Sequence, residues 1–418
     1  MTVNGASDER RLERSAPELI EAVDLAAASR AVAGGVIRTP SIDCPELGEL
    51  LGSPVSLKAE CLQTTGSFKL RGALSRIAAL GERAAAGLIT ASAGNHGRAV
   101  AAAAGLRGLE CEVFMPHDAA VSKVHAIEAL GAHVRLQGAS VDEALVQALE
   151  RSRESGAAFV HPFDDLDVIA GQGTLGLELL EDIPDVARVI VPVGGGGLAS
   201  GIGVALRRAP RPVELIGVQA AACAPYLDAL AGRPVRPSSA ATIADGIAIK
   251  RPGTITLPLL RELLDAVRAV PEDEIARGMV FLAERTKLVA EGAGAIAVAA
   301  LLGGALEPVD GTTVAIVSGG NVDSGLLASL LLRHETEEGR RVRVFTRVPD
   351  RPGGLAELLG LVARARANVV SVEHLREAVA LHVRETGVEL TLETRGPQHT
   401  EEVLEALAAG GYETRLGG

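Results

Sequence analysis

Short apolar runs alternate with longer segments in which alanine and leucine recur at helical spacing, and this alternation fills most of the chain. The apolar runs lie at 87–91, 110–115, 133–136, 189–193, 213–218 and 314–317, and residues 55–60 alternate as a further strand ahead of them. Strands that alternate with helices of this length predict right-handed βαβ units and a mainly parallel sheet. We therefore expect an α/β fold over residues 1–333, with two lobes whose strand-end loops face a shared cleft.

The pattern changes in the last quarter of the chain. Residues 334–340 are polar and charged without an apolar period, which predicts a linker. Over 341–418 the order strand, helix, strand, strand, helix, strand predicts a ferredoxin-like α+β domain. The predicted strands are 342–348, 369–375, 388–394 and 412–416, and the predicted helices are 355–367 and 400–407.

Composition narrows the function classes. With 418 residues, 47% hydrophobic and 22% charged, the chain is typical of a soluble globular protein of two or three domains. A net charge of −12, with 6 Phe, 2 Tyr and no Trp, argues against a nucleic-acid partner. The charged segment 8–14 lacks the apolar stretch of a secretory signal, and the longest apolar run, 292–306, is too short to span a bilayer. Four cysteines without pairing or metal-type spacing suit free thiols in a reducing cytoplasm.

Lys69 is the first candidate for chemistry. It follows Thr65, Gly66 and Ser67, which can form a turn and cap a helix, and it precedes apolar residues at helical spacing. A lysine at the start of a packed helix is easily desolvated, which lowers its pKa and makes the amine nucleophilic near neutral pH. This is the chemistry of a Schiff-base lysine. The alternative is an ordinary surface lysine.

Two loops between a strand and a helix could bind anions. In the first, Ser92, Ala93, Gly94 and Asn95 place amides and side-chain donors where a carboxylate can be held at a helix N-terminus, although an ordinary capped helix would look the same. The second is the run Gly194, Gly195, Gly196, Gly197 and Leu198. Its flexible backbone can turn several N–H groups onto one phosphate. A dinucleotide fold would also fit this run, but the next strand ends in Gln219, where NAD-binding proteins place an acid.

Together, these segments resemble the threonine/serine dehydratases among the fold type II pyridoxal-phosphate enzymes. The matching segments are 66–73 (GSFKLRGA), 92–97 (SAGNHG), 161–165, 170–174, 194–198 (GGGGL), 244–253, 291–295 and 318–321 (SGGN). They cover nearly all of residues 20–333. The resemblance implies pyridoxal 5'-phosphate as cofactor and the removal of ammonia from L-threonine, and from L-serine, by β-elimination to a 2-oxo acid.

The resemblance also implies roles for individual residues. Lys69 would carry the cofactor and act as general base, while Asn95 would bond the pyridoxal 3'-oxygen and His96 would be structural. Ser318 would face the pyridine nitrogen, and a hydroxyl there favours β-elimination over transamination because it cannot keep that nitrogen protonated. The expected cofactor-binding residues are Phe68, Lys69, Asn95, Gly194, Gly195, Gly196, Gly197, Leu198 and Ser318. The expected substrate-binding residues are Ser92, Ala93, Gly94 and Asn95.

Departures from the family bear on the alternatives. Gln219 stands where related racemases place a metal-binding acid, so we expect no metal ion, and Ala93 stands where they carry a reprotonating serine. Elimination is therefore favoured over serine racemisation. A hydroxyaspartate ammonia-lyase stays open, because one further cation in the pocket would suffice, with Arg71 and Lys250 as candidates. An amino-acid sensor without catalytic activity is the alternative from another class.

The C-terminal unit resembles an ACT domain, through the turn 350–355 before its first helix and Asn368 at the start of the next strand. The resemblance implies that Asp350, Gly354 and Asn368 bind a small effector, usually an amino acid, between paired copies. It also implies a homodimer or homotetramer under allosteric control. A purely structural dimerisation domain is the alternative.

Overall fold

A computed structural model describes residues 14–236, 242–375 and 384–417. Most of the charged segment predicted at 8–14 lies outside these ranges. The chain divides into the units Met1–Val322 and Asp323–Gly418. None of the helices within the described ranges combines the length and the apolar character needed to cross a bilayer.

The strands of the first unit fall where the apolar runs predict them, with three additions. They are β1 (Ser41–Asp43), β2 (Val55–Lys58), β3 (Leu88–Ala91), β4 (Cys111–Met115), β5 (His133–Leu136), β6 (Ala158–Phe159), β7 (Val186–Pro192), β8 (Glu214–Ala220), β9 (Ala266–Val270) and β10 (Thr312–Ile316). The additions are β1, β6 and β9, which no strong apolar run marks.

The helices of this unit connect the strands and cover the sheets. They are α1 (Ala16–Glu21), α2 (Leu25–Val32), α3 (Pro45–Leu51), α4 (Lys69–Leu80), α5 (Asn95–Leu106), α6 (Val121–Glu128), α7 (Val141–Ser155), α8 (Leu166–Asp182), α9 (Gly197–Leu206), α10 (Pro225–Leu230), α11 (Thr256–Leu263), α12 (Glu272–Phe281) and α13 (Gly292–Leu302). The apolar pattern of residues 18–33 predicts a single amphipathic helix. The chain instead forms α1 and α2, because the Asp24 carboxylate accepts the N–H of Ala27 and begins a new helix.

Two sheets form the two predicted α/β lobes. The larger sheet has the order β1-β2-β10-β7-β8-β9, and the smaller has the order β5-β4-β3-β6. Neighbouring strands are parallel except for β1 against β2. The strands β2, β3 and β10 are buried along their whole length, as expected of parallel sheets covered on both faces.

The order of the larger sheet decides where the site forms. Because β2 and β7 both lie beside β10 and run parallel to it, their carboxyl ends meet at one edge. After β2 the chain continues into the Lys69 segment, after β7 into the glycine run, and after β10 into Ser318. Ligands of open α/β sheets bind at such an edge.

The second unit has the predicted order of elements. After α14 (Ser324–Glu337) come β11 (Arg341–Pro349), α15 (Gly354–Arg364), β12 (Asn368–Leu375), β13 (Glu385–Glu393), α16 (Pro397–Ala409) and β14 (Arg415–Leu416). The four strands form an antiparallel sheet in the order β12-β13-β11-β14. This is the ferredoxin-like α+β arrangement.

The predicted linker 334–340 differs from the observed structure. Its first residues continue α14 to Glu337, and the two units divide at Val322 rather than at residue 333. A polar segment can stay helical when opposite charges lie four residues apart, as Arg333 and Glu337 do at 2.7 Å.

Candidate active site

Lys69 is the first residue of α4, as predicted, and it is partly buried. Its Nζ donates a hydrogen bond of 2.8 Å to the carbonyl of Pro162. Loss of hydration on burial lowers the pKa of this amine to about 8, while the nearby Glu291 carboxylate acts in the opposite direction. The expected side-chain cap is absent at this helix, whose preceding residue is Phe68. The turn itself is made by Gly66, with a φ of +76°.

The lysine segment is fastened to the loop after β10. Ser67 pairs with Gly319, and the N–H of Phe68 donates to the carbonyl of Ser318 at 3.1 Å. Ser318 is buried, and its hydroxyl donates to the carbonyl of Ala293, but because a hydroxyl hydrogen can rotate, it can donate to a bound acceptor instead. The Ser67 hydroxyl is fully buried without a hydrogen-bond partner. A buried hydroxyl without a partner fits a bound group that supplies one.

The glycine run after β7 forms a cradle. Gly196 immediately precedes α9 and has a φ of +89°, and the first N–H groups of α9 have no carbonyl partner within the helix. A Cβ on Gly195 would lie 2.0 Å from Cγ of Phe163. The Gly195 carbonyl accepts hydrogen bonds from Tyr226 Oη at 2.7 Å and Thr256 Oγ1 at 2.8 Å. The backbone is thus fixed with its N–H groups available, which suits a phosphate.

Residues 161–165 connect the lysine to this cradle. Pro162 accepts the lysine hydrogen bond, and Phe163 covers Gly195 and Gly197. The His161 ring orders the turn, because its Nδ1 accepts the N–H groups of Phe163 and Asp164. Burial lowers the pKa of His161, so the ring is an acceptor in this arrangement.

The asparagine loop opens α5 beside the same edge. The N–H of Gly94 donates to the Ser92 hydroxyl at 3.1 Å, and Asn95 is the first residue of the helix. Asn95 Nδ2 donates to Glu291, and its Oδ1 accepts from Asn321. His96 is bonded to the Val160 carbonyl, and burial lowers its pKa to about 3, so the ring is neutral. This is the structural role expected of His96.

Glu291 and Asn321 are site residues to which the sequence reasoning assigned no role, although both lie in matching segments. Glu291 is 6% exposed, and burial is the largest cause that raises its pKa, to about 7. A Cβ on Gly319 would lie 2.5 Å from Glu291 Oε1 and 3.3 Å from Asn95 Nδ2. The two side chains therefore converge on the loop that carries Ser318.

The structure does not support Arg71 or Lys250 as the cation that would bind a second substrate carboxylate. Arg71 is fully buried and pairs with Glu60 at 2.8 Å and with Glu178 at 2.6 Å. Lys250 is exposed and pairs with Asp142 at 2.6 Å. Both cations thus already have carboxylate partners within the protein.

Gln219 is buried, and its side chain is bonded at both ends, to the Val193 carbonyl and to the N–H of Leu227. Across the described ranges, no group of three or more His, Cys, Asp or Glu side chains is arranged to hold a metal ion. All four cysteines are free.

In the second unit, the proposed effector residues do not meet within one copy. Asp350 and Gly354 share the turn after β11, and a Cβ on Gly354 would lie 2.5 Å from the Pro349 carbonyl. Asn368 lies at the other end of the sheet, where it pairs with Glu393 at 2.9 Å, and Glu393 in turn lies opposite Arg341. The length of β11, roughly 25 Å, separates the two ends.

Comparison with known proteins decides the family. Residues 32–319 match the family model of pyridoxal-phosphate dependent enzymes. The chain belongs to this family. Residues 342–409 match the ACT domain, so this pyridoxal-phosphate dependent enzyme carries an ACT domain at its C-terminal end.

One relative matches nearly the whole chain, and a second matches about three quarters of it. An L-threonine ammonia-lyase of Thermotoga maritima is 45% identical over 403 residues, which are 96% of this chain and all of that protein. The catabolic L-threonine dehydratase of Escherichia coli strain K12 is 39% identical over 304 residues, which are 72% of this chain and 92% of that protein.

Solved structures agree on the fold of the first unit. The crystal structure of a T.th. threonine deaminase is 40% identical in sequence, with a TM-score of 0.67 over 72% of this chain and 97% of that one. A maize serine racemase is 33% identical, with a TM-score of 0.70 over 77% of this chain and 98% of that one.

The residues at the sheet edge fit pyridoxal phosphate. The cradle of the glycine run suits the phosphate, the Lys69 amine suits the aldehyde, and the Ser318 hydroxyl suits the pyridine nitrogen. The buried Ser67 hydroxyl without a partner lies beside them. Lys69, Asn95, Ser318 and the glycine run are thus brought to one edge, as the sequence predicts, and the part that each plays in binding stays a prediction.

Proposed function

We propose that this enzyme is a pyridoxal-phosphate dependent threonine ammonia-lyase, which converts L-threonine, and also L-serine, into a 2-oxo acid and ammonia. One observation carries the proposal. A partly buried lysine amine, with its pKa lowered to about 8, lies at the edge where the glycine run and Ser318 meet, in a chain that matches a relative named L-threonine ammonia-lyase from end to end.

Pyridoxal phosphate, when bound, supplies an electron sink that stabilises negative charge on the substrate α-carbon. Lys69 removes the proton from that carbon. At pH 7, a pKa of about 8 leaves roughly one tenth of the free amine neutral, against well under a thousandth for an ordinary lysine. The amine is therefore a competent general base near neutral pH.

The asparagine loop holds the substrate carboxylate. The first N–H groups of α5 have no partner within the helix, and the Ser92 hydroxyl lies beside them. A carboxylate bound there fixes the orientation of the substrate, so that its α-proton faces the base. The neutral His96 cannot serve as a general acid, because it holds the Val160 carbonyl.

Elimination is favoured over racemisation by one residue. Racemisation needs a second group that returns the proton on the opposite face, and Ala93 has no side-chain donor. The likeness to a serine racemase concerns the fold and does not supply that donor. The pairing of Arg71 and Lys250 with carboxylates of the protein supports substrates without a second carboxylate, rather than hydroxyaspartate.

Regulation belongs to the ACT domain. We propose that two copies pair so that Asp350 and Gly354 of one lie near Asn368 of the other, because a single copy keeps them at opposite ends of its sheet. Val370 and Val372, on the edge strand β12, are 42% and 38% exposed, which supports contact with a second copy. A homodimer or homotetramer that binds an amino-acid effector follows.

The four free thiols support a location of the enzyme in a reducing cytoplasm.

The test is an assay of the purified, cofactor-loaded protein with L-threonine, L-serine and 3-hydroxyaspartate, measuring 2-oxo acid, ammonia and the chirality of the remaining serine. We expect 2-oxo acid and ammonia in equal amounts from threonine, less from serine, and no D-serine. Accumulation of D-serine would make the enzyme a racemase. Cofactor binding without turnover of any substrate would favour a sensor. A thermal shift scan with isoleucine, valine, threonine, serine and AMP tests for an effector.

A further inference from the structure

A chain of side-chain hydrogen bonds joins the two lobes. Arg98 Nη1 donates to Asn321 Oδ1, Asn321 Nδ2 donates to Asn95 Oδ1 at 2.6 Å, and Asn95 Nδ2 donates to Glu291 Oε1 at 2.5 Å. Arg98 and Asn95 belong to α5 of the smaller lobe. Asn321 and Glu291 follow β10 and precede α13 in the larger lobe.

Arg98 and the Thr65 carbonyl fix the direction of the bonds within this chain. A guanidinium only donates, so the Asn321 oxygen must face Arg98. The Asn321 amide nitrogen then faces Asn95, and it also donates to the Thr65 carbonyl at 2.9 Å, which only accepts. The Asn95 oxygen therefore faces Asn321, and its amide nitrogen faces the Glu291 carboxyl group. Neither amide can turn over without opposing two donors or two acceptors.

The orientation of the Asn95 amide is thus set by Asn321, which is itself oriented by Arg98. An amide nitrogen carries two hydrogens, and the Glu291 bond uses one of them. A Cβ on Gly319 would lie 3.3 Å from this nitrogen and 3.2 Å from Cβ of Ser67, so the nitrogen is close to the paired Ser67 and Gly319. An Asn95 turned the other way would present its oxygen to the same space.

We infer that Asn321 and Arg98 are positioning residues, which hold Asn95 so that it offers an N–H rather than an oxygen to the 3'-oxygen of the cofactor. The inference rests on the proposed function, in which Asn95 contacts that oxygen. The 3'-oxygen of pyridoxal phosphate is an acceptor in its ionised form, so the direction of the Asn95 amide decides between attraction and repulsion.

If Asn321 had only a structural role, the ranking of its variants by loss of cofactor affinity would be reversed. If Asn321 only fastens the two lobes, Asn321→Ala, which removes every side-chain bond, is the more damaging change. Asn321→Asp keeps the bond to Arg98 but places an acceptor opposite both the Asn95 oxygen and the Thr65 carbonyl. If direction matters, Asn321→Asp is the more damaging change, because it drives Asn95 to turn over, whereas Asn321→Ala only releases it.

The experiment titrates each apoenzyme with pyridoxal phosphate and follows the visible absorbance of the bound cofactor. We expect Asn321→Ala to raise the dissociation constant by a few-fold, and Asn321→Asp to raise it by about tenfold more. Melting of each apoenzyme by circular dichroism verifies folding. Equal affinities, or tighter binding by Asn321→Asp than by Asn321→Ala, would overturn the inference.

The added negative charge needs its own control. In an Asn95→Ala background no amide remains to be turned, so Asn321→Asp and Asn321→Ala should bind the cofactor equally, within about twofold. A tenfold gap that persists in this background would assign the effect to the added charge or to the lost contact with the Thr65 carbonyl, and would overturn the inference.

A second pair of variants covers a failure of Asn321→Asp to fold. Arg98→Lys keeps a group that only donates, whereas Arg98→Met removes it. We expect near-normal cofactor affinity from Arg98→Lys and a loss of about three- to tenfold from Arg98→Met. An equal loss of cofactor affinity in both variants, or no loss in either, would contradict a role of Arg98 in orienting the Asn95 amide. All these readouts concern the cofactor, so a failure of threonine as substrate would leave them interpretable.

Discussion

The Nζ of Lys69 lies 2.8 Å from the carbonyl oxygen of Pro162, 93 positions further along the chain. The residue after this carbonyl, Phe163, covers the glycine run. Two consecutive residues thus connect the amine to the phosphate cradle. Pro162 accepts a hydrogen bond from the amine, and Phe163 limits the space at Gly195. This connection makes the lysine and the cradle one site.

The first prediction concerns pH. The amine must be neutral to attack the cofactor aldehyde, and its pKa of about 8 is lowered by burial. Below that value the amine is protonated, so the rate of cofactor binding by the apoenzyme should rise by up to about tenfold per pH unit and level off above about pH 8. Stopped-flow absorbance measures the rate. A rate still rising at pH ~10 would indicate an ordinary lysine.

The second prediction tests the cradle. Gly195→Ala places a Cβ 2.0 Å from Cγ of Phe163, so the loop must move. We expect cofactor affinity to fall by at least about tenfold, as titration of the apoenzyme would measure. The matched control is Gly105→Ala within α5, where the new Cβ meets one backbone oxygen at 3.4 Å. This control should bind the cofactor normally and melt at the same or a higher temperature.

The third prediction concerns the buried ion pairs behind Lys69. Arg71→Met leaves Glu60 fully buried without its cation and removes one of the partners of Glu178. We expect the free energy of unfolding of the first unit to fall by about 3–5 kcal/mol, measured by urea unfolding of the apoenzyme. Lys250→Met, which breaks the exposed pair with Asp142, should leave the midpoint unchanged. Equal effects of the two changes would contradict the assignment of Arg71 to the core.

The fourth prediction concerns Glu291. Its pKa is raised to about 7 by burial, so the folded protein binds this proton more tightly than the unfolded chain does. The stability that the proton supplies is present below the unfolded pKa, ordinarily about 4.3, and is lost as pH rises through about 7. Glu291→Gln removes this loss and should gain on the order of 1–3 kcal/mol relative to wild type between pH 5 and 8. A constant difference across that window would contradict the prediction.

The sequence predicts those parts of the site that local patterns encode. Lys69 after Gly66, and the glycine run at the start of α9, each follow a strand and open a helix, so the local pattern marks them as candidates, and the family resemblance assigns their roles. The parallel sheet then brings such connections to one edge.

Partners that are distant in sequence explain what the pattern could not predict. By sequence alone, Arg71 is a candidate for binding a substrate carboxylate. In the structure its guanidinium is paired with Glu178, 107 positions away. The bond between Asn95 and Asn321 joins residues 226 positions apart, and no periodicity indicates such a pair. In the same way, the register of β11, β12 and β13 separates Asn368 from Asp350.

The central claim is that Lys69 is the residue that binds the cofactor. Borohydride reduction of the cofactor-loaded enzyme makes the bond between lysine and cofactor permanent, and mass spectrometry of its peptides then locates it. The account predicts the label on Lys69 alone, and no label in Lys69→Ala. A label on any of the other lysines, Lys58, Lys123, Lys250 and Lys287, would contradict it.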